Sequence, residues 1–72
     1  MLTFGEAVYE LRREHKYSLR ALSVRADVSP SYLRAVERGD SSPTLAVAFR
    51  ITSAFGYRLD TFFADFGIGV ER

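Results

Sequence analysis

Ser18-Leu19-Arg20-Ala21-Leu22-Ser23-Val24-Arg25-Ala26-Asp27-Val28-Ser29-Pro30-Ser31-Tyr32-Leu33-Arg34-Ala35-Val36-Glu37-Arg38-Gly39 is the stretch that decides the fold. Ser18 offers a side-chain oxygen just ahead of Leu19, Leu22 and Ala26, which recur at helical spacing and predict a short capped helix. Asp27-Val28-Ser29-Pro30 breaks that pattern, and Asp tolerates the left-handed conformation that ends a helix better than most residues. Ser29 before Pro30 restarts it, because a proline in the first helical position gives up an amide proton that the helix would leave unused. The second helix turns Leu33 and Val36 inward and stops at Gly39, a residue suited to the left-handed C-terminal position. Two short helices thus meet at a tight turn, locked by Leu22, Ala26, Val28, Leu33 and Val36, with the small Ala26 permitting close approach.

The flanks extend the helical pattern. Thr3-Phe4-Gly5-Glu6 forms a capping box, in which Thr3 accepts from the third helical amide and Glu6 reaches back to the Thr3 amide. Phe4, Ala7, Val8 and Leu11 follow as one apolar stripe, with Glu10, Arg13 and Glu14 opposite. This first helix is expected to run to about His15, where His15 and Lys16 suit the negative end of the dipole. Asp40-Ser41-Ser42-Pro43 is loop chemistry. Thr44 caps a fourth helix with Leu45, Ala48, Phe49, Ile51, Thr52 and Phe55 as its apolar set, ended by Gly56. A fifth helix from about Arg58 carries Leu59, Phe62, Phe63 and Phe66, and the alternating Phe66-Gly67-Ile68-Gly69-Val70 is expected to be extended. The reading is an all-α domain of five helices over residues 1–66, followed by a short tail, 67–72.

Composition narrows the function. The chain has 72 residues, 47% hydrophobic and 26% charged, which describes one small globular domain. It contains no cysteine and one histidine, so a thiolate or all-histidine metal site is excluded within one chain. The longest apolar run, Leu45 to Phe49, is five residues, far too short for a bilayer. The start of the chain shows no basic, long-apolar leader, and a cytoplasmic location is expected. The net charge of +1 divides unevenly: seven Lys/Arg against five Asp/Glu up to Arg38, then three against four. That permits a local basic patch without demanding one. No nucleophile–base pair, metal cluster or glycine-rich phosphate loop is present, so an enzyme is not expected. No cofactor or small-molecule ligand is expected either.

A helix-turn-helix has a physical logic. Its first helix braces on a nucleic-acid backbone while the second enters the major groove. The whole string quoted above resembles the helix-turn-helix of Xre/Cro-type phage repressors, a likeness that runs through Pro43-Thr44-Leu45, Ala54-Phe55-Gly56 and Leu59-Asp60 to Phe63. Small stand-alone members of this kind include prophage repressors and restriction-modification controllers. The resemblance implies a homodimer bound to a two-fold symmetric double-stranded operator. It also implies base contacts from Pro30, Ser31, Arg34 and Ala35. Of these, Arg34 alone has a fork able to pair with guanine O6 and N7. Ser18, Leu19, Arg20, Tyr32, Arg38, Ser41 and Ser42 fall at or beside phosphate-contacting positions. Arg12 and Glu37 align with a partly buried ion pair between the first and third helices. Two departures stand out. Leu19 occupies a position where the family usually has a phosphate-binding Gln, and Asp27 occupies a turn position that is usually Gly or another small residue.

The aromatic content bears on assembly. Leu59, Phe62, Phe63 and Phe66, extended by Ile68 and Val70, form the expected dimer interface, since a domain this small cannot easily bury so many large rings. The alternative reading is a protein-interaction module on a repressor-like fold, of the antitoxin or antagonist-binding kind. The missing Gln and the modest charge favour it; Ser31 and Arg34 oppose it.

Overall fold

The computed structural model describes residues 2–65. The tail and the expected interface positions Phe66, Ile68 and Val70 lie outside the described residues. Within them the chain forms helices α1 (Phe4–Glu14), α2 (Leu19–Ala26), α3 (Pro30–Arg38), α4 (Leu45–Ala54) and α5 (Leu59–Asp65), with no strand.

The caps form where the side chains foretell them. Thr3 and Glu6 make the reciprocal capping box, and Ser18, Ser29 and Thr44 each accept from the amide three residues on. Asp27 ends α2 in the left-handed region at φ 57°, and Gly39 ends α3 at φ 83°. Lys16 also sits at φ 58°, ending α1, where the sequence suggests only a dipole role. An L residue in this region is strained by about 1–2 kcal/mol, so tertiary packing holds both turns. At Asp27 the holding group is Arg50. From α4 it donates to the Ala26 carbonyl at 3.2 Å and to the Asp27 carbonyl at 3.4 Å, satisfying acceptors that the end of α2 leaves open.

Ala7, Val8, Leu11, Leu22, Ala26, Leu33, Ile51, Phe55 and Phe62 make one core, into which Val28, Tyr17 and Phe63 pack from its margin. Its two buried hydroxyls are satisfied locally: Ser23 donates to the Arg20 carbonyl at 2.7 Å and Thr52 to the Phe49 carbonyl at 3.1 Å. His15, expected beside the negative end of the dipole, is exposed there and rests its ring on the aromatic edge of the core. Its ring lies 5.1 Å from that of Phe55 and 5.4 Å from that of Tyr17, and Nδ1 meets the Leu11 carbonyl at 3.0 Å.

One expectation about an apolar face needs correction, and the apolar set of α4 divides in two. Phe62 is not available to an interface: it is 0% exposed, with the rings of Phe4 and Tyr57 at 5.6 and 5.7 Å. The five-helix packing closes over the middle of α5, and Phe63 is half-buried beside it, 6.1 Å from Phe4. On α4 the inward stripe is Ala48, Ile51, Thr52 and Phe55, whereas Leu45 is 71% and Phe49 56% exposed. These two sit four residues apart on another face. They line a shallow apolar notch with Leu59, Ala46 and Arg50.

Gly5 is buried where α1 meets α3. A Cβ there would collide with the Val36 carbonyl and crowd that of Glu37. Helix propensity alone favours Ala over Gly by about 1 kcal/mol. The collision reverses the sign, and Gly5→Ala is expected to lower unfolding stability by about 1–3 kcal/mol in urea titration, as overpacking does.

Candidate nucleic-acid interface

The inner face of α3 is fixed by Leu33 and Val36, both essentially inaccessible, so its other face is turned outward. Pro30, Ser31, Arg34 and Arg38 are exposed there, while Tyr32 and Ala35 are half-buried. The base-contact positions are therefore unequal. Pro30, Ser31 and Arg34 stand clear, and Ala35 lies at the margin, its carbonyl accepting the Asp40 amide at 2.9 Å. None of the described residues hydrogen-bonds the exposed Arg34 side chain.

Of the phosphate positions, Ser18, Arg20, Arg38 and Ser42 are exposed, whereas Leu19 and Ser41 are half-buried. Ser18 uses its hydroxyl oxygen on the Ala21 amide at 3.0 Å, which leaves the amides of Leu19 and Arg20 without a partner among the described residues. Two amides at the positive end of a helix make a ready anion contact. The Leu19 side chain instead packs against the core and adds no donor.

Beside this helix start runs a groove between α1 and α3, lined by Tyr9, Arg12, Leu19, Arg34, Glu37 and Arg38. At its edge is the ion pair of α1 and α3. Arg12 Nε donates to Glu37 Oε2 at 2.7 Å and Nη2 to Oε1 at 3.0 Å, a bidentate fork, and Nη1 donates to the Tyr17 carbonyl at 3.1 Å. Both side chains are largely buried. The hydrogen bonds to Glu37 hold the Arg12 guanidinium above its ordinary pKa. A raised pKa stabilises the fold at every pH below its usual value, and that contribution is lost only in strong alkali. The pair orients α3 and makes no chemistry of its own.

Residues 8–62 match the helix-turn-helix family model HTH_3. The chain belongs to this family. Its relatives are transcriptional regulators, a class without enzymatic activity. The chain is 43% identical over 61 residues to the HTH-type transcriptional regulator RamB of Mycobacterium tuberculosis, which covers 85% of this chain but only 13% of that protein. It is similar to the restriction-modification controller C.AhdI of Aeromonas hydrophila, at TM-score 0.79 and 27% identity over 83% of this chain and 91% of that one. SinR, a master regulator of biofilm formation solved in complex with DNA, aligns at TM-score 0.77 and 26% identity, over 85% of this chain and 98% of that one.

Two residues of this HTH_3 surface escape a sequence reading. Arg50 braces the turn from a distant helix and has no local signature. Tyr9 has one only in part: spacing places it beside Arg12 and Arg13, but nothing local shows that the groove of α3 opens next to it. No helix among the described residues is long and apolar enough to cross a membrane. Arg12→Ala strands a buried carboxylate and is expected to cost about 3–5 kcal/mol of unfolding stability. The double variant Arg12→Ala, Glu37→Ala should recover part of that loss in the same denaturant titration.

Proposed function

We propose that the chain is a sequence-specific regulator that binds a two-fold symmetric duplex as a homodimer, with α3 in the major groove. The observation that carries this reading is the division of α3. One side is locked into the core by Leu33 and Val36, and the other presents Ser31, Arg34 and Arg38 uncovered by any described part of the chain. The free amides of Leu19 and Arg20 lie at the start of the neighbouring helix, where a backbone phosphate would fix the register of α3. The solved DNA complex of the similar SinR supports the same use of the fold. Repression or activation would follow from where the duplex lies relative to polymerase, and a cytoplasmic location goes with that role.

For the homodimer, the proposed surface keeps Leu59 from the expected interface and sets aside the buried Phe62. With Phe62 in the core, an apolar notch among the described residues pairs the exposed Leu45 and Phe49 with the half-buried Leu59, between α4 and α5. A symmetric pair joined there would have to present two copies of α3 about 34 Å apart, one turn of the duplex. Coupled pairing and binding would then make occupancy depend steeply on protein concentration.

Selection of bound duplexes from a random pool is expected to return two-fold symmetric sequences, whose affinity falls steeply as salt rises. Arg34→Ala should relax preference at one position per half-site, at a cost of about 1–3 kcal/mol. Arg38→Ala should weaken all duplexes alike and lower the salt slope by about 1. If no selected duplex binds better than random DNA, the protein-interaction reading takes its place. Sedimentation velocity checks the surface separately: the parent chain should run as a dimer, and Phe49→Glu as a folded monomer.

A further inference from the structure

We propose that the Tyr9 hydroxyl donates a hydrogen bond to a backbone phosphate at the edge of the α3 site, where the Leu19 side chain supplies no donor. The inference rests on the DNA-binding reading and adds a residue outside the helix-turn-helix. Tyr9 lies on α1, 40% exposed, and lines one groove with Leu19, Arg34 and Arg38. Its oxygen accepts a hydrogen bond from Arg13 Nη1 at 3.2 Å. That bond consumes a lone pair and leaves the phenolic proton free, and no described residue accepts it. Donation from a guanidinium also polarises the hydroxyl toward giving up its own hydrogen bond. The Arg12 and Arg13 guanidinium carbons lie 5.4 and 5.7 Å from the ring centroid, which holds the ring in place and adds positive charge around it.

The charge around the groove points to an anion. Arg12, Arg34 and Arg38 line it against the single carboxylate of Glu37, and Arg12 already occupies that carboxylate. Leu19, whose amide has no partner among the described residues, lines the same groove. Tyr9 is the neutral donor that the groove supplies.

The test uses the full chain with a duplex selected from a random pool and an unrelated duplex of equal length. Tyr9→Phe keeps the ring and removes only the hydroxyl. Binding of both duplexes should weaken together, on the order of tenfold for a lost bond to a charged group. The salt slope should not change, since a neutral donor releases no counterion. The thermal midpoint should stay that of the parent, because the hydroxyl is at the surface. Leu19→Gln in the Tyr9→Phe background should restore most of the affinity, and should add less to the parent chain. The proposal is overturned if Tyr9→Phe binds like the parent, if it alters preference between the two duplexes, or if Leu19→Gln adds equally in both backgrounds. Failure of the parent chain to bind any duplex would overturn the DNA-binding reading and this inference with it.

Discussion

The seam between α1 and α3 governs the rest of the molecule. At one end Gly5 lets the α3 backbone come within contact of α1, and near the other Arg12 grips Glu37 through a two-pronged bond. Neither interaction touches the outward side of α3, yet together they fix its tilt and rotation. The apolar contacts of Leu33 and Val36 are non-directional and tolerate small rotations, whereas a bidentate ion pair does not. The seam therefore converts a generic packed helix into one with a defined outer face. Holding the ion pair in a poorly solvated place is costly, and it is tolerated because every strong donor and acceptor there is paired.

A second constraint operates at the turn. Asp27 adopts a left-handed conformation without glycine's freedom, and Arg50 reaches from α4 to the two carbonyls around it. The angle between α2 and α3 is thereby shared with a helix outside the helix-turn-helix. This is why α4, whose sequence looks like simple core, carries an exposed-face arginine bent back onto the domain.

The extent to which the sequence discloses this arrangement follows from range. Caps and stops are local: Thr3 with Glu6, Ser18, Ser29 with Pro30, Gly39 and Thr44 each act within four residues, and each is visible in the chain. The inward face of α3 is equally legible, because its polar and apolar residues separate cleanly by period. On α4 they do not separate. Leu45, Val47, Ala48, Phe49 and Ile51 surround the helix axis, so periodicity cannot choose which of them is covered, and the fold leaves Leu45 and Phe49 outside. The middle of α5 fails in the opposite sense, since ring counting cannot tell that Phe4 and Tyr57 converge on Phe62. Arg12 with Glu37 spans 25 residues and is readable only through likeness to a family, while Arg50 and the setting of Tyr9 need the folded chain.

The outward side of α3 is short-limbed. Pro30, Ser31 and Ala35 project little beyond the helix surface, and Arg34 alone among the proposed base readers is long. On the proposed reading, such a helix reaches base edges only where the duplex lets it settle deeply, so local groove width and ease of bending become part of what is recognised. A partner sequence would be chosen as much for its mechanical compliance as for the letters that Arg34 can spell.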